Sequence, residues 1–125
     1  MNKNRMSDSE YVIMQVLWEK SPVSSAEIVN RLMETTNWSP KTIHTFLRRL
    51  VSKGTVKAEK EGNFYRYSPN ISRQEYAAHE TKSFVKKIYD GSISSLVMNF
   101  IKHEKLPEDE LKRLKEMLET PDAEE

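Results

Sequence analysis

The chain has 125 residues, of which 37% are hydrophobic and 31% charged, and it carries a formal net charge of +1 and no cysteine. This length accommodates one domain, or one small domain with an appendage, and a chain without cysteine has no disulfide, thiolate metal site or cysteine nucleophile. No apolar run approaches the ~20 residues that span a bilayer, and none follows the basic residues at the N-terminus, so we expect a cytoplasmic protein without signal peptide or membrane insertion.

The two parts of the chain differ in charge. Residues 1–75 contain 12 Lys and Arg against 8 Asp and Glu, a net of +4, whereas residues 76–125 contain 8 against 11, a net of −3. Only the first part suits an anionic partner, so we expect the two parts to have different roles.

Two helices are predicted first, over residues 7–20 and 24–36. Each has apolar residues at helical spacing and opens with a capping box, in which a serine and a glutamate three positions later satisfy each other's backbone N–H groups. The two boxes pair Ser7 with Glu10 and Ser24 with Glu27.

The segment WSPKTIHTFLRRLVSKG, Trp38 to Gly54, predicts a third helix with clear ends. Ser39 can cap its first N–H groups, Pro40 lies where a missing N–H costs nothing, and Gly54 allows a left-handed stop. One face is apolar and contains Ile43, Phe46, Leu47, Leu50 and Val51. The remaining surface is basic and hydroxylated, has no carboxylate, and contains Lys41, Thr42, His44, Thr45, Arg48, Arg49 and Ser52.

A β-hairpin is predicted after Gly54, because the spacing of apolar residues changes from helical to alternating. Residues 55–60 and 64–69 read as strands around a turn at 61–63. Three helices followed by a hairpin is the element order of a winged helix-turn-helix module, and the short link at residues 36–39 suits its turn. Tyr65 and Tyr67 in the second strand are expected to pack against the helices rather than to stack on bases.

The basic surface of the third helix predicts DNA binding. A helix-turn-helix places its second helix in the major groove, where Arg, Lys and short hydroxyls read base edges and its N-terminus favours phosphate. We expect groove contacts from Lys41, Thr42, Thr45 and Arg48, backbone or flanking contacts from Ser39, His44 and Arg49, and wing contacts to phosphate from Lys60 and Arg66. A solvated helix face and a protein-interaction module are the alternatives for the same pattern.

The second part of the chain predicts three more helices with apolar stripes, over residues 72–89, 93–105 and 106–119. The stripes lack an evident further layer to bury them, so we expect a second copy of the chain to cover them, and the alternative is that they pack on the first part. The stripe residues are Phe84, Ile88, Leu96, Val97, Phe100, Ile101, Leu111, Leu114 and Leu118. The predicted fold is mainly α with a small β-hairpin, comprising a winged-helix DNA-binding domain at 1–71 and a helical dimerisation domain at 72–125.

No catalytic or metal site is predicted. His44, His79 and His103 have no partner at metal-ligand spacing, and the chain has no phosphate-binding glycine loop, no nucleophile beside a base and no plausible carboxylate pair. We therefore expect neither an enzyme nor a bound cofactor.

Several segments resemble the penicillinase repressor family, the BlaI/MecI/CopY transcriptional repressors of Gram-positive bacteria. They are the third-helix segment, the start SDSEYVIMQVLW, the hairpin EGNFYRYSPNIS and the tail SLVMNFIKHEKLPEDELKRLKEML, which is similar to the BlaI/MecI branch. The resemblance implies a homodimer that binds a palindromic operator in double-stranded DNA and blocks transcription of β-lactamase or penicillin-binding-protein genes.

The resemblance also implies a mode of release. When a β-lactam acylates a membrane sensor, family members are cut in the dimerisation tail between Asn and Phe of a SLVLNF-like motif, which here gives the bond Asn99–Phe100 in SLVMNF. The cysteine-rich metal hook of the CopY branch is absent. The alternatives are a winged-helix repressor of another regulon released intact by a small-molecule effector, and a winged-helix protein-interaction module.

Overall fold

The computed structural model describes residues 6–120, which form helices and three short strands. The elements are α1 (Asp8–Glu19), β1 (Val23–Ser24), α2 (Ser25–Thr35), α3 (Pro40–Ser52), β2 (Val56–Glu61), β3 (Phe64–Pro69), α4 (Arg73–Tyr89), α5 (Ile93–His103) and α6 (Glu108–Glu119). The chain divides into two compact units between Thr81 and Lys82. The order confirms the predicted winged helix-turn-helix followed by helices.

The capping box that opens α1 is confirmed. Ser7 Oγ accepts a hydrogen bond from the Glu10 N–H at 3.1 Å, and Glu10 Oε1 accepts one from the Ser7 N–H at 2.9 Å. The Glu10 side chain also accepts a hydrogen bond from Lys53 Nζ at 2.7 Å, although the two residues lie 43 positions apart. Glu10 is only 2% exposed, so this ion pair ties the first turn of α1 to the end of α3.

The second capping box forms one of its two expected hydrogen bonds. Ser24 Oγ accepts a hydrogen bond from the Glu27 N–H at 3.2 Å, but the Glu27 carboxylate lies 3.6 Å from Lys20 Nζ. Ser24 also ends β1, a two-residue strand that pairs antiparallel with Tyr67 and Arg66 of β3. The sheet therefore has a third strand beyond the predicted hairpin, in the order β1-β3-β2.

The hairpin turn is one residue shorter than predicted. Glu61 belongs to β2 and pairs with Phe64, which leaves Gly62 and Asn63 as a two-residue loop. Gly62 has a φ of +63°, at the position where type II′ hairpin turns favour glycine because other residues are strained there.

The core of the first unit lies between the three helices and the sheet. Ile43, Leu47 and Leu50 of α3 are buried as predicted, while Phe46 and Val51 pack at its edge. The remaining buried apolar residues are Met6, Ile13, Met14, Val16, Leu17, Val23, Ile28, Val29, Leu32, Val56, Ile71 and Tyr76. This packing leaves the opposite side of α3 facing outwards.

The first turns of α4 belong to the first unit. Tyr76 is buried, with ring centroids 5.7 Å from Tyr11 and 5.9 Å from Trp18. The Arg73 guanidinium lies 5.4 Å from the centroid of the Trp18 ring, and Trp18 Nε1 donates to the Ile71 carbonyl at 2.9 Å. The compact unit therefore extends past residue 71, at which the sequence places the end of the DNA-binding domain.

The second unit contains the end of α4, then α5 and α6. The predicted break at Asp90-Gly91 is confirmed, with left-handed φ values of +51° and +87° at the two residues. Val85 is buried, whereas α5 and α6 contain no buried residue within the described range 6–120. None of the helices in that range is long and apolar enough to cross a membrane.

Candidate nucleic-acid interface

Local sequence fixes both ends of α3. Ser39 Oγ accepts a hydrogen bond from the Thr42 N–H at 3.2 Å, and Pro40 takes the first helical position. At the other end Gly54 has a φ of +81°, its N–H donates to the Val51 carbonyl, and the Thr55 N–H donates to the Leu50 carbonyl. This pair of bonds is a Schellman motif.

The outward side of α3 carries cations that have no carboxylate partner among residues 6–120. Lys41, Arg48 and Arg49 are exposed, and none of them forms an ion pair within residues 6–120, where the ion pairs join other residues. The Arg49 guanidinium lies 5.8 Å from the Phe46 ring centroid, so Arg49 lies beside the part of α3 that carries Phe46. The positive charge of this face is therefore not neutralised by carboxylates of residues 6–120, and it can attract an external anion.

The hydroxyls of this face are tied to the helix. Ser39 Oγ and Thr42 Oγ1 lie 3.0 Å apart, and Thr45 Oγ1 donates to the Lys41 carbonyl at 3.0 Å. Thr42, His44 and Thr45 are half-buried. The predicted groove residues Lys41, Thr42, Thr45 and Arg48 are thus on one side of α3, with short groups between two long cations.

The wing has two faces that differ in charge. Strand residues alternate between faces, and the face directed at α3, here called the inner wing face, contains Ala58, Lys60, Tyr65 and Tyr67. The outer wing face contains Lys57, Glu59, Glu61, Phe64 and Arg66. Arg66 Nε lies 2.8 Å from Glu61 Oε2, and Lys57 Nζ lies 3.2 Å from Glu59 Oε1. Both outer cations are therefore engaged by carboxylates.

A cleft of about 260 Å³ separates α3 from the inner wing face. It is lined by His44, Leu47, Arg48, Val51, Ala58, Tyr65 and Tyr67. The apolar part of this lining is Leu47, Val51 and Ala58, and the polar part comes from two α3 residues and the two tyrosines of β3.

Tyr65 corrects an expectation from the sequence. Tyr67 packs against the core as predicted, but Tyr65 is 49% exposed. The reason is its place in the hairpin: Tyr67 pairs with both Val23 and Ala58 in the middle of the sheet, whereas Tyr65 pairs with Lys60, one pair from the last pair before the turn. Its position beside the turn was the signal that it lies beyond the core.

The family model described as "Penicillinase repressor" matches residues 6–120. The chain belongs to this family. It is 37% identical over 115 residues to the "Penicillinase repressor" of Bacillus licheniformis, covering 92% of this chain and 90% of that one. It is 32% identical over 113 residues to the "Methicillin resistance regulatory protein MecI" of Staphylococcus aureus strain N315, covering 90% and 92%.

Two solved structures resemble the first part of this penicillinase repressor family member. The solution structure of the DNA-binding domain of the repressor BlaI has a TM-score of 0.55 and 40% identity, covering 60% of this chain and 92% of that one. The monomeric form of Bacillus licheniformis BlaI, in complex with the blaP half-operator, has a TM-score of 0.52 and 42% identity, covering 58% and 88%. As a member of the penicillinase repressor family, the chain is a DNA-binding transcriptional repressor and not an enzyme.

The predicted dimer residues of this repressor lie along the second unit. Phe84, Ile88, Phe100, Ile101 and Leu118 are exposed, and Leu96, Val97, Leu111 and Leu114 are half-buried. Asn99 and Phe100 are both exposed and lie inside α5. Within residues 6–120 no group of three His, Asp or Glu side chains could hold a metal ion.

Proposed function

We propose that this repressor binds a palindromic operator as a homodimer in the cytoplasm and represses β-lactam-resistance genes. The observation that carries the proposal is the outward side of α3, where Lys41, Arg48 and Arg49 have no ion-pair partner within residues 6–120. Such a surface beside a wing suits the negative potential of a DNA groove. The similarity to a penicillinase repressor and to a methicillin resistance regulatory protein supports the choice of regulon.

The proposed contacts divide into base readout and positioning. Lys41, Thr42, Thr45 and Arg48 enter the major groove, and Ser39, His44 and Arg49 contact its flanks or the backbone. On the wing, Lys60 contacts phosphate directly. Arg66 reaches phosphate only by leaving Glu61, so its contribution is smaller than that of Lys60.

The proposed homodimer forms through the helices after residue 71. Its support is the amount of apolar surface that the second unit leaves exposed, for example at Ile88, Ile101 and Leu118. A second copy would remove this surface from water, which stabilises association by roughly 25 cal/mol for each Å². The functional division that we propose is DNA binding by residues 1–71 and dimerisation by residues 72–125.

The proposed release step is cleavage of the Asn99–Phe100 bond by a protease of a membrane sensor pathway. Cleavage there would separate α6, with Leu111, Leu114 and Leu118, from the rest of the dimerisation domain. The dimer would lose part of its buried surface, and a monomer holds a single half-site without the affinity that linked half-sites provide.

Fluorescence anisotropy tests the DNA-binding part of this proposal. The probes are a dyad-containing duplex from upstream of the neighbouring genes and a scrambled duplex of equal length, both titrated across a salt series. A preference for the dyad of ~10³-fold or more with a steep negative salt slope is the expected result. Absence of binding to either duplex at low salt would overturn the proposal.

The release step needs a separate measurement in cells. A host that carries the sensor pathway is exposed to a β-lactam, and the length of the repressor is followed by mass spectrometry. The expected product ends at Asn99, and an Asn99→Ala variant tests whether the cut depends on that residue. Release of DNA by an intact chain would instead indicate a small-molecule effector.

A further inference from the structure

The side chain of Tyr65 lies beside the cleft between α3 and the wing without a place in the core. It is 49% exposed, whereas Tyr67, two residues further along the same strand, packs against the buried cluster. An aromatic ring left half in water forgoes part of its apolar burial. The ring and its hydroxyl are therefore available to a ligand in the cleft.

The charges around this cleft select an anion. Arg48 lines it from α3, and Lys60 lies directly opposite Tyr65 in the strand register. No carboxylate lines the cleft within the described part of the chain. The wing glutamates Glu59 and Glu61 belong to the outer wing face, where they pair with Lys57 and Arg66. Tyr65 also borders the outer pocket that Glu61 and Arg66 line, but these two residues neutralise each other. Beside the cleft, the cations without an ion-pair partner among residues 6–120 are therefore Arg48 and Lys60.

The occupant that fits is the DNA backbone itself. A strand that borders the groove entered by α3 passes between that helix and the wing, and its outward groups are phosphates rather than base rings, because the bases of a duplex stay stacked. Tyrosine hydroxyls are among the groups that bind phosphate oxygens in such complexes. The cleft volume of about 260 Å³ leaves room for a phosphodiester group.

We infer that Tyr65 is a further DNA-contacting residue, whose hydroxyl donates a hydrogen bond to a backbone phosphate that Lys60 also attracts. This inference rests on the proposed function. The contact carries no base information, so it adds affinity to every duplex and fixes the register of α3 beside the groove. The sequence alone places Tyr65 in the core and does not foresee this role.

The test uses a Tyr65→Phe variant of the full chain, which removes only the hydroxyl. Anisotropy titrations with the dyad and scrambled duplexes should show a loss of about 10-fold or more on both, the lower end of the range for one hydrogen bond to a charged acceptor. The salt slope should stay unchanged because the phenol is neutral. A Lys60→Ala variant should instead reduce the slope by about one.

Two matched variants control for general damage. Tyr11→Phe removes the same atom from the aromatic cluster around Trp18, and Lys57→Ala removes the same cation from the outer wing face. Both should bind the two duplexes as the wild type does. In the double variant Tyr65→Phe/Lys60→Ala the loss should fall short of the product of the single losses, since both groups serve one phosphate.

The outcomes separate this inference from the proposed function. If the wild type binds DNA and Tyr65→Phe binds each duplex with the wild-type affinity, the Tyr65 contact is refuted. The repressor proposal then still stands. A loss confined to the dyad duplex would make Tyr65 a base contact and would also overturn the phosphate assignment. Losses that multiply in the double variant would refute the shared phosphate. No binding by the wild type at low salt would overturn the proposed function itself.

Discussion

The ion pair between Glu10 and Lys53 should stabilise the first compact unit, and replacing Glu10 with glutamine isolates its charge. Glu10 Oε1 lies 2.7 Å from Lys53 Nζ and 2.9 Å from the Ser7 backbone nitrogen. Glutamine has nearly the same shape and keeps a carbonyl acceptor for Ser7, but it removes the negative charge beside the lysine. The variant therefore loses the ionic part of the link between α1 and α3 and retains the cap.

The expected loss in unfolding free energy lies near the lower end of two reference ranges. Hydrogen bonds to charged groups contribute about 1.5–3 kcal/mol, and breaking a fully buried pair costs about 3–5 kcal/mol. The side chain of Lys53 is 38% exposed while that of Glu10 is 3% exposed, so water can solvate the lysine after its partner loses charge. We expect a loss of about 1–2 kcal/mol, which lowers Tm by about 4–16 °C for a unit of this size.

Urea unfolding followed by tryptophan fluorescence is the assay, because Trp18 and Trp38, the two tryptophans of the chain, both precede Thr81. A Glu59→Gln variant is the control: Glu59 pairs with Lys57 at the surface with both side chains exposed, so its loss should cost less than about 0.5 kcal/mol.

The pH dependence gives the sharper test. Burial raises the pKa of the Glu10 carboxyl, but the hydrogen bonds from Lys53 and Ser7 and the charge of Lys53 together lower it by more than burial raises it. The net pKa therefore lies below the ordinary 4.5. A carboxyl with a lowered pKa adds stability above its unfolded pKa and loses it as the pH falls through its folded pKa. The gap between wild type and Glu10→Gln should be complete at pH 7 and shrink below about pH 4.5. Equal stability at pH 7, or a gap that persists in acid, would refute the reasoning.

Three further substitutions test the interface and the proposed dimer. Arg48→Ala should weaken the dyad duplex by about 10- to 100-fold and the scrambled duplex less; equal losses in anisotropy would make Arg48 a phosphate contact. Glu61→Gln frees Arg66, so both duplexes should bind about 2- to 5-fold tighter with a steeper salt slope, and unchanged binding would mean that Arg66 does not face DNA. Leu118→Lys places a charge at a residue that is 77% exposed, and it should raise the dimer dissociation constant measured by sedimentation by about 10-fold or more. The helix content measured by circular dichroism should stay unchanged. An unaltered dissociation constant would show that Leu118 is not in the interface.

Local signals predicted α3 well. Ser39, Pro40 and Gly54 act on backbone groups within a few positions of themselves, so their effect can be read from the sequence. The separation of the buried Ile43, Leu47 and Leu50 from the outward cations follows from helical periodicity alone. The candidate DNA face was therefore identifiable before any tertiary contact was known.

Features that depend on distant partners were not predictable. β1 has two residues and exists because Val23 and Ser24 pair with β3, and no pattern of alternation can appear over so short a segment. The capping residue Glu10 gains its second role from Lys53, 43 positions away. Tyr76 joins α4 to the first unit through aromatic contacts with α1, which depend on tertiary packing rather than on helical periodicity.

The distribution of charge on the wing was also hidden, because it depends on which carboxylates the hairpin register brings near each cation. Lys60 and Arg66 look equivalent in the sequence. The structure pairs Arg66 with Glu61 at 2.8 Å, whereas Lys60 shares the inner wing face with Tyr65. The numbers of acids and bases in a strand pair therefore do not determine the charge that each face presents.

In the proposed complex, α3 and the inner wing face together form the DNA-binding surface. Titrating ¹⁵N-labelled protein with the unlabelled dyad duplex and following the amide shifts tests this claim directly. The largest changes should cluster at residues 39–49 and at Lys60 and Tyr65, with small changes at Lys57 and Glu59 and along α1. Changes concentrated on α1 or on the outer wing face, with α3 unaffected, would contradict it.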